Sequence, residues 1–314
     1  MSPTILIAGA TGNTGKGVIE TLPELFKKRG SEYRILGLTR SVNSPTSKKL
    51  ASVPNVEMEE KDWTTIDAAW LMSRNVVRVF VAPHNQLSQF AEESAFHVAL
   101  LEAGVKYVVR ISTNSEYISP KSPIFYGRAH WAIENLLSQP EFESLHWTSL
   151  QPNFFSASYL ASASDWIKEY QKTGKQAPLT TTLAEDVPVA MVDPLDVGAA
   201  AAHLLALEET SPHNQARYIV SGPEDVTGKR VVELVEHYVG AKVEKIEFKV
   251  TSFLNDLVEA GVFPAKVLPS IMAGFKPLWD GRNALAGTST SPEIMQLAPP
   301  KRTMESALKE LVEG

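Results

Sequence analysis

The first fifteen residues constrain the fold more than any other stretch. The short, mostly apolar run Thr4–Ala8 leads directly into Gly9-Ala10-Thr11-Gly12-Asn13-Thr14-Gly15, and a helical pattern starts near Asn13. In a strand–turn–helix setting the glycines have separate tasks. They let the chain turn sharply, let backbone N–H groups approach a pyrophosphate, and let the helix pack close to the sheet. The helix N-terminus adds unsatisfied donors and a positive dipole facing the same spot. Gly9, Thr11, Gly12, Asn13, Thr14 and Gly15 are therefore the candidate phosphate cradle.

The rest of the first half repeats the alternation. Tyr33–Leu38, Val56–Glu59, Val76–Val81, Tyr107–Ser112 and His146–Leu150 read as strands. Helical segments are expected over Thr64–Ser73 (capped by Asp62 or Thr64), Gln86–Ala103 and Tyr126–Ser138. Near-continuous apolar runs such as VVRVFVA and YVVRIS suit parallel strands buried on both faces. After Pro152 the rhythm changes to a helix over Phe154–Gln171, a polar loop over Lys172–Val187 and an Ala-rich helix over Pro194–Leu207. A strand at Ala216–Val220 and a helix at Gly228–Tyr238 follow, then Pro-punctuated helices. The expected class is α/β: a Rossmann, doubly wound parallel sheet over 1–152, with a smaller, mostly helical C-terminal substrate lobe over 153–314. Some segments of that lobe are expected to return to the sheet.

The second strand ends GLTR, at Thr39-Arg40, and no acid lies between Arg34 and Ser47. An NAD-type site places an acidic residue there for the ribose hydroxyls, whereas an arginine accommodates a 2′-phosphate. The planar guanidinium fork suits that group. NADP(H) is the cofactor this reading favours.

Composition narrows the remaining classes. In 314 residues, 36 acids against 30 Lys and Arg leave a net charge of −6, with no basic footprint for nucleic acid. The cysteine count is 0, which excludes disulfides, thiolate metal sites and a Cys nucleophile. No segment approaches the ~18 apolar residues of a membrane helix, and MSPTILIAGATG does not read as a signal peptide. A cytoplasmic monomer or homodimer, with no membrane or nucleic-acid partner, is the expectation. His84, His97 and His203 lack ligand spacing, so no metal site is expected, and His97 and His203 read as surface or boundary residues.

Together GATGNTGKGV, GLTR, QPNFF, DPLDVGAAAAHLL, YIVSGPEDVTGKRVVELV and PPKRTMESALKEL resemble the NmrA-like family, atypical members of the short-chain dehydrogenase/reductase superfamily. The resemblance runs in order over nearly the whole chain. Its finer shading is toward fungal reductases of specialised metabolism, including those of ergot alkaloid pathways. The resemblance implies that Thr39 and Arg40 clamp the 2′-phosphate and that Asp62 approaches the adenine. It also implies that Ala82 and Pro83 border the cofactor and that Pro152-Asn153-Phe154 lies beside the nicotinamide. From the residues alone Asp62 equally serves as a helix cap and Phe154 equally as core.

The catalytic position departs from the superfamily pattern Tyr-x-x-x-Lys. Here the segment reads Tyr126-Gly127-Arg128-Ala129-His130, with His in place of Lys. Residues i and i+4 share a helix face, so both rings can point into one cleft. His130 and Tyr126 are the candidate acids, His130 by a pKa near neutrality, or they merely decorate the helix. Ser112 and Thr113 are candidate hydrogen-bond donors at the end of strand five, Ser112 grouped with the cofactor-facing residues.

The expected activity is hydride transfer from NADPH to a small, largely apolar organic acceptor such as a conjugated carbonyl, quinone or iminium. Two alternatives stay open, because fold alone does not separate them. One is a non-catalytic regulator that senses NADP(H), and the other a cyclase or isomerase on the same scaffold.

Overall fold

The computed structural model describes residues 2–30 and 32–314. Seven parallel strands form one sheet in the order β3-β2-β1-β4-β5-β6-β8. The strands are β1 (Thr4–Ala8), β2 (Arg34–Thr39), β3 (Val56–Glu60), β4 (Val76–Val81), β5 (Tyr107–Ile111), β6 (His146–Pro152) and β8 (Ala216–Val220), while β7 (Leu179–Thr180) pairs with β9 (Ile246–Glu247) outside it. Strand order reverses between β1 and β4, and in such sheets ligands bind at that switch, beyond the strands' carboxyl ends. Every residue of β1 and β5 is buried, as expected of strands covered on both faces.

The first helices are α1 (Asn13–Arg29), α2 (Pro45–Ala51), α3 (Ala68–Ser73), α4 (Gln89–Glu102), α5 (Phe125–Leu137), α6 (Ser156–Thr173), α7 (Pro194–Leu205) and α8 (Gly228–Val239). One sheet face carries α1 and α7 over a core of Ile5, Ile7, Ile19, Leu22, Ala201 and Leu204. These two helices cross at Gly17 and Gly198, where a Cβ on Gly198 would lie 2.3 Å from the Thr14 carbonyl oxygen. The opposite face is covered by α3, α4 and α5, whose Leu71, Phe96, Leu100, Ile133 and Leu137 pack with Val79, Val108 and Trp147.

A second core belongs to the C-terminal half. Leu160, Trp166 and Ile167 of α6 pack with Val231 and Val235 of α8 and with Ala307 and Leu308 of the last helix. The remaining helices are α9 (Phe253–Glu259), α10 (Leu268–Met272), α11 (Phe275–Trp279), α12 (Leu285–Thr288), α13 (Pro292–Leu297) and α14 (Met304–Glu313). Although β8 and α7 lie beyond Pro152 in sequence, both belong to the sheet body: β8 pairs with β6 and α7 packs on α1.

Three local expectations need correction. The helix expected over Thr64–Ser73 is two pieces, a 3₁₀ turn at Trp63–Thr65 and then α3. Asp62 accepts from the Thr64 amide and Asp67 from the Trp70 amide, so two caps each open a separate turn around an extended Ile66. The helix expected from Gln86 starts at Gln89, and the loop expected over Lys172–Val187 contains β7.

Candidate cofactor cleft and adjoining polar network

At the β1/β4 switch lies a cavity of about 800 Å³ lined by Gly9, Thr11, Gly12, Thr39, Arg40, Asp62, Ala82 and Pro83. Gly9 has φ +90°, a left-handed conformation that favours glycine, and a Cβ there would meet the Ala82 side chain at 3.3 Å. The Gly12 amide donates to the Gly9 carbonyl at 2.9 Å, closing the turn. Gly12 precedes α1 with no side-chain cap and no acidic residue in the first turn. The first N–H groups of the helix therefore stay available to an anion.

Cations frame the far side of this cavity. Arg40 is exposed at the end of β2, and Lys61, one residue past β3, lines the same wall. Among the described residues neither side chain has an intramolecular hydrogen bond or ion pair. Glu60 of the same wall accepts from the Val42 amide at 3.3 Å, and Asp62 holds the Thr64 amide and hydroxyl at 2.9 and 2.8 Å. Asp62 thus lines the cavity and caps the following turn at once. His84 and Glu92, paired at 2.5 Å, and Trp63, 5.9 Å from the His84 ring, complete the lining.

The remaining predicted residues lie elsewhere. Asn13 borders a separate cavity of about 170 Å³ with Lys16 and Ser156. Thr14 is buried, and a Cβ on Gly15 would lie 2.2 Å from the Gly9 carbonyl oxygen, so Gly15 is a packing glycine. Pro152 is buried at the end of β6. Asn153, expected beside the nicotinamide, is buried and engaged internally. Its Oδ1 accepts from the Asn114 amide group at 2.8 Å, and its Nδ2 faces the Asn283 carbonyl and the Thr288 hydroxyl, each at 3.0 Å. Ser112, expected to donate to a ligand, instead donates to Glu134 at 2.8 Å.

Beyond the carboxyl ends of β5 and β6 stands an aromatic cluster. Phe154 packs edge-on against Tyr117 and Tyr159, with centroids 6.0 and 5.0 Å away. The Tyr117 hydroxyl donates to the Gly274 carbonyl at 2.6 Å, tying the cluster to the α10–α11 segment. Tyr126, half-buried at the start of α5, has no hydrogen bond from its hydroxyl among the described residues, and burial pushes its phenol up to about 12. The nearby charges Arg282 and Glu116 pair with each other at 3.2 Å.

His130 does not share that cleft. It is 1% exposed, in a polar slab between α4, β5, α5 and β6. Arg110, fully buried in mid-strand, donates from Nε to Glu93 at 2.7 Å, from Nη1 to Ser149 at 2.9 Å and from Nη2 to His130 Nδ1 at 2.8 Å. A nitrogen that accepts from a guanidinium carries no proton, so the ring is the neutral Nε2–H tautomer, and Nε2 faces Asn85 Oδ1 at 3.1 Å. Burial first, and the Arg110 charge second, push His130 down to about 3. Burial and the adjoining guanidinium both disfavour the imidazolium expected from sequence. His97, expected at the surface, is fully buried against Glu93, and burial holds its ring below the usual value. Burial alone would raise Glu93, but Arg110 and His97 outweigh it and hold the carboxyl well below its ordinary range.

Glu134 gathers the strand ends. Its carboxylate accepts from Ser112 and Ser149, at 2.8 and 2.7 Å, and from Arg217 of β8 at 2.9 Å. Sequence reasoning did not single out this network or Lys61. Its visible traces were an arginine inside an apolar strand and Glu93/His97 at helical spacing.

The NmrA-like family model matches residues 1–306 of the chain. A (4-alkanoyl-5-oxo-2,5-dihydrofuran-3-yl)methyl phosphate reductase of Streptomyces griseus is 26% identical over 293 residues, 93% of this chain and 92% of that protein. The NADPH complex of an NADPH-dependent quinone oxidoreductase from Escherichia coli is similar in fold, with TM-score 0.70 and 21% identity, covering 98% of this chain and 99% of that one. The negative transcriptional regulator NmrA in complex with NAD gives TM-score 0.69 and 14% identity over 98% and 95% of the two chains.

Proposed function

The chain belongs to the NmrA-like family, and from that premise we propose that it is an NADPH-dependent reductase passing hydride to a small, largely apolar organic acceptor. The observation that carries this reading is the pair of unpartnered cations, Arg40 and Lys61, on the wall opposite the glycine turn. A dinucleotide with its pyrophosphate at the start of α1 would lay its adenosine end against that wall, where two cations suit a 2′-phosphate. The similar proteins named as reductases support the activity, and the NADPH complex supports the cofactor.

For the acceptor, the Tyr117–Phe154–Tyr159 cluster offers apolar faces, and its neighbouring charges are already paired. Bound NADPH supplies the hydride; the protein supplies orientation and a hydrogen bond. Tyr126 is the donor we assign: its phenol stays neutral and its hydroxyl has no partner among the described residues. Specialised metabolism is the setting suggested by the sequence resemblance. The test is a titration of the full chain with NADPH and NADH, followed by NADPH oxidation with quinones, enones and iminium dyes. Equal affinity for the two cofactors would refute the 2′-phosphate assignment. Tight NADPH binding without turnover of any acceptor would select the second reading, an NADP(H) sensor, which the lack of a Lys one turn after Tyr126 favours.

A further inference from the structure

We infer that His130 is a positioning residue for the cofactor cleft: its Nε2–H holds Asn85 and thereby fixes the loop that follows β4. The loop begins in the cavity wall, where Ala82, Pro83 and His84 contribute lining. Asn85 itself is exposed and His130 buried, so the 3.1 Å contact joins a surface turn to the interior. Arg110 makes the joint directional. With Nη2 donating to Nδ1 at 2.8 Å, the one ring proton lies on Nε2, facing the Asn85 carbonyl oxygen. The loop is held from two other sides: the Gln86 amide donates to His84 Nδ1 at 3.2 Å, and Gln86 Nε2 to the Val262 carbonyl at 3.4 Å.

The ring touches Arg110 on β5 and the buried Gln89 amide on α4, whose Nε2 lies 3.2 Å from Nδ1 and 3.3 Å from Nε2, while Glu93, His97 and Glu134 are linked to it through Arg110 and Glu93. Arg110 is ion-paired to both carboxylates, at 2.7 and 3.6 Å, and still donates to Nδ1, so a second proton on the ring would meet the guanidinium. The inference rests on the reading that the 800 Å³ cavity takes NADPH.

Glutamine separates positioning from acid catalysis, because its side chain offers one acceptor and one donor but does not titrate. NADPH fluorescence titration of the full chain is the readout. Asn85→Ala and His130→Ala are expected to weaken NADPH binding about fivefold to tenfold, the loss of one organising hydrogen bond. His130→Gln is expected to recover affinity to within about threefold. Histidine ¹⁵N spectra of the parent should show a neutral Nε2–H ring at position 130 that does not titrate between about pH 5 and 8. Asn85 lies on an exposed loop, so that variant tests the link even if His130→Ala fails to fold. Unchanged NADPH affinity in Asn85→Ala, or a ring at 130 that protonates near neutrality, overturns the inference while leaving the reductase reading intact. A parent protein that binds no NADPH overturns both.

Discussion

Lowering the pH from 7.5 to 5.5 should cost this fold stability, and the two buried histidines set how much. His130 and His97 are neutral in the folded chain, both depressed by burial, His130 to about 3. In the unfolded chain each returns to an ordinary value of 6.5. A depressed histidine therefore contributes full stability above the unfolded pKa and loses it as pH falls from there toward the folded one. Over that two-unit interval the unfolded His130 ring takes up most of a proton that the folded ring refuses. For His130 the difference is about 1.4 kcal/mol, and His97, also depressed by burial, adds to it with the same sign. His203 and His213, depressed by burial but partly exposed, add smaller amounts of the same sign. Glu93 acts in a lower window: its carboxyl is held below 4.5, so its contribution is present above that pH and lost only beneath it. Urea unfolding at pH 7.5, 6.5 and 5.5 measures the effect, and in His130→Gln the pH dependence should fall by about 1.4 kcal/mol over this range. A midpoint that stays constant between pH 7.5 and 5.5 would refute the neutral, buried assignment of both rings.

The cleft supports three further expectations. Arg40→Ala should weaken NADPH binding by about one to two decades, the worth of a charge-assisted bond, and leave NADH nearly unaffected, as read by calorimetry. Gly12→Val, on the cavity wall, should stay folded and lose NADPH binding. Gly15→Ala, whose Cβ would lie 2.2 Å from a backbone oxygen, should instead lower the melting temperature. Tyr126→Phe should reduce turnover of a carbonyl acceptor by about tenfold or more, without weakening NADPH binding, in steady-state kinetics.

The sheet and its glycine turn were legible because their signals are local. Thr4–Ala8 and the turn after it dictate strand, bend and helix within fifteen residues, and the apolar runs of β4 and β5 declare burial on both faces. The place of Arg40 in the cavity wall was legible for the same reason, as the residue just past β2. That of Lys61 was not, because it depends on β3 lying beside β2, a pairing across sequence distance. Tyr126 and His130 show the limit of periodicity. Helical spacing puts two side chains near one face, but α4 and β5 decide what that face meets, and here Arg110 claims one ring. Asn153 and Ser112, expected to face the cofactor, are engaged internally for a similar reason. Strand-end polar residues find partners in distant segments, Asn283 and Thr288 for one and Glu134 for the other.

The buried network is hard to explain by stability alone. Replacing a buried ionic cluster by well-packed apolar residues is often neutral or stabilising, because desolvation offsets the attraction. What apolar residues cannot do is fix polar atoms at set positions, and both ends of this network carry such atoms. At one end His130 meets Asn85 on the loop that borders the cofactor cavity. At the other, Glu134 gathers Ser112 of the β5 end, Ser149 of β6 and Arg217 of β8, while Asn153 ties the β6 end to the α12 region. The strand ends that carry the aromatic cluster are thus joined through Arg110, at 2.9 Å from Ser149 and 2.8 Å from His130, to the loop that carries the cofactor wall. In a hydride transfer, where reacting atoms must meet within a few tenths of an ångström, such a rigid brace sets the distance between donor and acceptor. On this argument the histidine that stands where the superfamily pattern has a lysine would act on the reaction through geometry, which leaves Tyr126 of the original pair as the proposed donor.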